Sequence, residues 1–144
     1  MNISEGTVRH TFALYQATPH LDFTAVAYTQ SIFLLGVPAN TLIVGVMARL
    51  VTQFVAFGMS LCTVSIGAVS HPTTSTTDRT TENFYMPVMS CTQVPSSTSF
   101  MYWSPIAMYT TYPQDIRANF TSTGAFLSTI TAGEVEITIM YRSL

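Results

Sequence analysis

Apolar and polar residues alternate with a period of two along much of this chain. The clearest example lies near the C-terminus, in the segment EVEITIMYRSL. Its odd-numbered residues are mostly apolar, namely Val135, Ile137, Ile139 and Tyr141. Successive side chains of a β-strand point to opposite faces of a sheet, so this pattern predicts a strand with one buried and one wet face. The segment DIRANFTST alternates in the same way and predicts a second strand, with Ile116, Ala118 and Phe120 on its apolar side.

The longest apolar run, Gly36–Phe54, contains a turn followed by a strand. The Pro-Ala-Asn sequence at 38–40 has turn chemistry, because proline presets φ and asparagine tolerates left-handed backbone. From Leu42 to Phe54 the even-numbered residues are almost all apolar and the odd-numbered residues are mixed. This pattern predicts one long strand with its even-numbered side chains buried. A membrane helix needs about 20 uninterrupted apolar residues, and the proline, the asparagine and Arg49 interrupt this run.

The segment MSLCTVSIGAV predicts another strand, bounded by turns at Gly58 and Gly67. Because the two long strands are joined near the sequence VAFGM, we expect them to form an antiparallel hairpin. The hydroxyl-rich segment Ser70–Phe84 predicts an exposed loop, and Ala132-Gly133 predicts a turn. Prolines spaced by 8 to 10 residues between 87 and 113 predict short strands separated by turns.

Several strands with regular turns and no convincing helical period favour an all-β fold, an antiparallel β-sandwich. The N-terminal segment has mixed polarity and breaks at Pro19. We therefore expect residues 1–20 to form an arm, which could add a strand to a neighbouring subunit, and residues 21–144 to form a single β-sandwich domain.

Composition indicates a surface that meets other protein. Apolar residues make up 48% of the 144-residue chain and charged residues 8%, and lysine is absent. Such a surface is poorly soluble alone, although a hydroxyl-rich monomer is the alternative. The net charge of −2 and the scattered arginines give no footprint for nucleic acid.

No residue pattern indicates catalysis, a metal site or a cofactor. His10, His20 and His71 lack metal-ligand spacing, and the common nucleophile, phosphate-binding and dinucleotide motifs are absent. We therefore expect a protein that is not an enzyme. Cys62 and Cys91 are expected to be buried free thiols, although a disulfide is the alternative. The N-terminus lacks the pattern of a signal peptide.

Aromatic residues crowd the segment FMYWSPIAMYTTY and have three interpretations. They could form a contact between subunits, since Tyr, Trp and Met are favoured in interface cores. They could stack on carbohydrate through Tyr102, Trp103 and Tyr109, or fill the domain's own core. We take the first interpretation and add two aromatic residues of the N-terminal arm. The candidate interface residues are Phe12, Tyr15, Phe100, Tyr102, Trp103, Tyr109 and Tyr112.

Three segments, which together make up about half of the chain, share one pattern of turns and strands: LLGVPANTLIVGVMARLVTQF, SLCTVSIG and the closing STITAGEVEITIMYRSL. In this pattern the chain resembles small virion proteins of tailed bacteriophages. Those proteins have a Pro-Ala-x-Thr turn before a long alternating strand, and a closing Thr-Ala-Gly strand that reaches a tyrosine. Pro38, Ala39 and Thr41 occupy the turn here, and Tyr141 ends the closing pattern. Asn40 stands where the resemblance expects glycine.

The resemblance implies a jelly-roll-like β-sandwich located in the virion. The expected role is a capsid decoration (cement) protein that stabilises the phage head through multi-copy contacts. A neck, tail or fibre-attachment component and a carbohydrate-binding β-sandwich are the alternatives. The expected partners are copies of the chain itself and other virion proteins, chiefly the major capsid protein, with no nucleic acid and no membrane.

Overall fold

The computed structural model describes residues 5–14, 27–73, 77, 79–94, 100–103 and 110–143. They form eight β-strands and one short 3₁₀ helix, Leu127–Thr129. The strands are β1 (Glu5–Leu14), β2 (Thr29–Val37), β3 (Thr41–Val55), β4 (Leu61–Ser70), β5 (Arg79–Ser90), β6 (Phe100–Trp103), β7 (Gln114–Thr123) and β8 (Ala132–Ser143).

The strands form two four-stranded antiparallel sheets. The order is β1-β8-β3-β6 in the first sheet and β2-β7-β4-β5 in the second. Every connection between consecutive strands passes from one sheet to the other, except the one from β4 to β5. Eight antiparallel strands in two sheets with this interleaved order form a jelly roll. The predicted all-β, jelly-roll-like sandwich is therefore confirmed.

The core lies between the sheets and follows the alternation seen in the sequence. Ile137 and Ile139 of β8 are fully buried, as are Ile116 and Ala118 of β7. Phe54 and Phe120 meet across the two sheets, with ring centroids 6.2 Å apart and nearly parallel planes. The predicted strands of both C-terminal segments are confirmed, because the alternate residues that are apolar in the sequence are the ones buried in the core.

Gly133 belongs to β8 and not to the turn that the sequence predicts. It has a φ of 150° and pairs with Leu14 of β1. A Cβ atom at this position would collide with the ring of Phe54. The position therefore requires glycine for close packing of the strand on a core aromatic residue.

The turn at 38–40 and the long strand after it are confirmed, but the predicted facing of the strand is wrong at its start. Val44 is 42% exposed, whereas Ile43 and Val46 are fully buried. The ladder between β3 and β8 shifts its register between Ile43 and Gly45. A bulge inserts one residue and reverses which parity faces the core, and a strict period of two does not reveal it.

The predicted hairpin between the two long strands is wrong. β3 pairs with β8 and β6, whereas β4 pairs with β7 and β5, so their connection crosses between the sheets. Crossing lets the apolar faces of both strands bury against each other, which pairing within one sheet would prevent. Gly58 lies in this connection with a φ of 81°, as predicted for a turn. Gly67 lies inside β4 opposite Arg117 and is not a turn.

The predicted loop Ser70–Phe84 is wrong in its second half, because β5 begins at Arg79. Threonine is β-branched and favours strands, so the hydroxyl-rich sequence pairs with β4. The expectation of short strands is also wrong here, since β5 continues through Pro87. An edge strand tolerates proline because one row of its amides has no strand partner.

Residues 5–14 of the predicted N-terminal arm form β1, an edge strand that pairs with β8 of the same chain. Residues 15–26 lie outside the described part of the chain. The division into an arm at 1–20 and a domain at 21–144 stays a prediction.

Candidate assembly surface

Several connections between strands meet at one end of the sandwich. The Ser60 amide donates to the Thr123 carbonyl at 2.9 Å, which joins the β3–β4 connection to the end of β7. The Thr131 amide donates to the Val55 carbonyl at 2.8 Å, and the Leu127 amide donates to the Ala27 carbonyl at 3.0 Å. Backbone hydrogen bonds therefore hold the β3–β4 connection, the β7–β8 connection and the residues before β2 in one body.

This end exposes large apolar side chains, and we refer to them together as the apolar end. Its members are Tyr28, Val55, Phe57, Leu61 and Phe126. Phe57 has a relative exposure of 101%, so the fold buries none of its ring. The rings of Tyr28 and Phe126 lie against each other with centroids 4.9 Å apart. Exposed apolar clusters of this kind mark interaction surfaces in soluble proteins.

The apolar end carries no charge in its described segments. Residues 27–28, 55–61 and 123–131 contain no Asp, Glu, Lys, Arg or His. Loss of charge together with aromatic enrichment is the composition that distinguishes an interface core from the rest of a protein surface. Desolvating this surface against a partner would therefore leave no buried unpaired ion.

Two glycines shape the tip of the apolar end. Gly58 and Gly124 have φ values of 81° and 87°. A Cβ atom on Gly124 would collide with the Gly58 carbonyl, so the two turns cross with their backbones in direct contact. Glycine at both positions allows this approach without strain. The crossing fixes the position from which Phe57 projects.

The structure separates two groups of the predicted interface residues that it describes. Phe12 belongs to β1 and Phe100, Tyr102 and Trp103 belong to β6, which are opposite edges of the first sheet. The strands β8 and β3 lie between those edges, which corresponds to about 14 Å between β1 and β6. Tyr112 is half-buried just before β7.

Tyr15 and Tyr109 lie outside the described residues. The predicted interface, and the carbohydrate alternative that uses Tyr102, Trp103 and Tyr109, therefore stay predictions.

Sequence reasoning missed Phe57, although two local signals point to it. It stands beside Gly58 in the predicted turn, where exposure is the rule. No Asp, Glu, Lys or Arg stands between Arg49 and Asp78, so no charged side chain is near this turn in the sequence. An uncharged turn with an aromatic residue next to a glycine is a signal for a contact surface that the strand pattern does not reveal.

The other end of the sandwich holds a cleft of about 330 Å³ between the start of β7 and the end of β2. His71 Nε2 and Asp115 Oδ2 lie 3.1 Å apart at its edge. Gly36, Val37 and Pro38 line the opposite side. Among the described residues, no group of three or more His, Cys, Asp or Glu side chains is placed to hold a metal ion.

The buried titratable groups belong to the core. Tyr85 donates a hydrogen bond of 2.5 Å to Gln114 Oε1, and burial raises the pKa of this phenol. Cys62 and Cys91 are buried free thiols, as predicted from the sequence. Burial raises the pKa of Cys62 to about 12 and raises the pKa of Cys91, to which the neighbouring Cys62 contributes. These groups keep their protons at neutral pH.

The charged residues on the wet face of β8 form a cross-strand pair. Arg49 of β3 stands opposite Glu136 in the ladder, and their side chains approach to 3.7 Å. An exposed pair of this kind contributes little to stability.

In the part of the chain that the structure describes, no helix has the length and apolarity for a membrane crossing.

No protein-family model and no curated sequence matches the chain. Three solved structures share its fold over nearly its whole length. A chain in the acidic stable capsid structure of Helicobacter pylori bacteriophage KHP30 has a TM-score of 0.60 and 15% identity, covering 99% of this chain and 90% of that chain. A chain in the capsid of Ralstonia phage GP4 has a TM-score of 0.59 and 11% identity, covering 100% and 88%.

The third is a chain in the capsid asymmetric unit of cyanophage Pam1, with a TM-score of 0.59 and 12% identity. It covers 100% of this chain and 89% of that chain. What is shared is the fold. At these identities the likeness does not extend to particular side chains.

Proposed function

We propose that this chain is a structural protein of a bacteriophage particle, most specifically a decoration protein on the phage head. The carrying observation is that its jelly roll matches chains in three phage capsid structures over 88 to 90% of their own lengths. Little of those chains lies outside the match, so the shared fold accounts for most of each molecule. The resemblance in the turn and closing strand supports the same class.

The mechanism is assembly through apolar contacts, and it needs no reacting group or cofactor. The apolar end contacts other copies of this chain. A surface without charge places no like charges against each other when two copies meet, whereas a charged surface would repel its own copy. Burying one fully exposed phenylalanine ring contributes about 1.5 to 3 kcal/mol. Many such contacts on one particle add through multivalency.

The role of the apolar end is tested by replacing its most exposed residue. The variant Phe57→Ser removes the ring without touching the core, since the fold buries none of it. We expect self-association of the purified chain to weaken about 10- to 100-fold in sedimentation velocity. Binding to phage particles that lack the chain should weaken as well, because fewer contacts act together.

The matched control is Phe33→Ser, the same change on β2 at a ring with 51% exposure. It should keep both self-association and particle binding near the unmodified level. Equal losses in the two variants would show that the apolar end has no special role. A purified chain that stays monomeric and does not bind particles would contradict the proposed function.

A further inference from the structure

Cys62 and Cys91 occupy opposed positions of one strand pair. β4 and β5 form an antiparallel ladder in which Thr63 pairs with Ser90. The next pair in this register is Cys62 with Cys91, and the Cys91 amide donates a hydrogen bond of 2.7 Å to the Cys62 carbonyl. Opposed residues of antiparallel strands have Cα atoms about 4.5 to 5.5 Å apart. That separation lies in the range in which a disulfide closes.

Both side chains lie on the same side of the sheet. Cys62 and Cys91 are each 0% exposed, so both enter the core between the sheets. Their neighbours two residues along, Val64 and Met89, are buried as well, which confirms that this parity faces inward on both strands. Position, register and facing therefore bring the two thiols together.

We propose that Cys62 and Cys91 form an intramolecular disulfide when a low-molecular-weight disulfide oxidises the folded chain. One thiolate attacks a sulfur of the oxidant, whose S–S bond breaks and releases one thiol. The second cysteine then attacks the protein-bound sulfur of this mixed disulfide and releases the second thiol. The protein loses two protons and two electrons, and the oxidant is reduced to two thiols.

The reaction is slow in the folded chain, because the thiols are buried and protonated at neutral pH. Access comes through the end of β5, an edge strand of the second sheet. Gln93 and Val94, which follow Cys91, are exposed. Local opening of this end brings the thiols to solvent without unfolding the rest of the sandwich.

The crosslink would stabilise the part of the sandwich that lies beside the apolar end, because Cys62 directly follows Leu61. Cys91 also accepts a hydrogen bond of 2.8 Å from the Phe54 amide of β3, so it joins strands of both sheets. Thiols stay reduced in the cytosol and oxidise outside the cell. If the proposed function holds, the chain assembles in its reduced form and the released particle acquires the bond; only this timing rests on the proposed function.

The test uses the purified full chain incubated with oxidised glutathione at about pH 8. We expect complete loss of both thiols by titration in denaturant, a peptide linking Cys62 to Cys91, and a mass lower by two hydrogens. The melting temperature should rise by roughly 5–10 °C and return on reduction with dithiothreitol. Thiols that persist in the folded chain while the denatured chain oxidises would overturn the proposal, as would lasting glutathione adducts or links between chains.

The single variants Cys62→Ala and Cys91→Ala are the controls. Each leaves one thiol, so the oxidant should no longer raise the melting temperature. If neither variant folds, the reversible shift of the unmodified chain still decides the question. The chemistry is measured on the isolated chain, so its failure is distinguishable from failure of the self-association and particle-binding test.

Discussion

Two buried threonines hold the turn that joins β2 to β3. The Thr110 hydroxyl accepts the Thr41 amide at 3.0 Å and donates to the Pro38 carbonyl at 2.8 Å. The Thr41 hydroxyl donates to the same carbonyl at 2.9 Å. Asn40 lies between Ala39 and Thr41 and adopts a φ of 63°, a left-handed conformation that asparagine tolerates. The turn that the sequence predicts is therefore completed by a residue 69 positions away from Thr41.

This arrangement predicts an order of stability loss among three threonine variants. Thr110→Val leaves the buried Thr41 amide without an acceptor, so we expect a loss of about 2 kcal/mol in the free energy of unfolding. Thr41→Val should lose about 1 kcal/mol or less, because the Pro38 carbonyl keeps its bond from Thr110. Thr121→Val, at an exposed position of β7, is the control. Urea unfolding measures all three, and equal losses at Thr110 and Thr41 would contradict the network.

The individual strands show which features the alternation of apolar and polar residues can predict. The alternation of β7 and β8 identifies their buried faces because the extra residues at the register shifts stand in the neighbouring strands β2 and β3, and not in β7 or β8. The bulge in β3 depends on its partner β8, so the sequence of β3 alone conceals it. The choice of sheet for β3 and β4 was also not predictable, since a period of two specifies which face is apolar and not which strand lies beside it.

The bulge itself makes a prediction about two valines on β3. Val46 is fully buried, so Val46→Ser should lower the free energy of unfolding by about 3 kcal/mol. Val44→Ser should change it by less than about 1 kcal/mol, because Val44 faces outward after the register shift. Chemical denaturation of both variants is the measurement. Comparable losses in the two variants would contradict the bulge and would mean that Val44 and Val46 face the same side, as the sequence pattern predicts.

At the scale of the whole molecule, the β-sandwich fold was predictable from the sequence, whereas the position of the exposed apolar cluster was not. The low charge and high apolar content indicated a partner surface, and the structure exposes a cluster of apolar side chains where Phe57 projects from a turn. The candidate aromatic residues combined a crowded segment with two residues of the N-terminal arm. The strand order that separates Phe12 of β1 from the crowded residues of β6 is not contained in that local pattern.

The most direct test of the virion role is a cryo-EM reconstruction of particles produced by the genome that encodes this chain. We expect density for the eight-stranded jelly roll at many symmetry-related positions on the outside of the head, with Phe57 at contacts between copies. Density at one vertex alone would instead place the chain in the neck or tail. Purified particles that contain no copy of the chain would contradict the account.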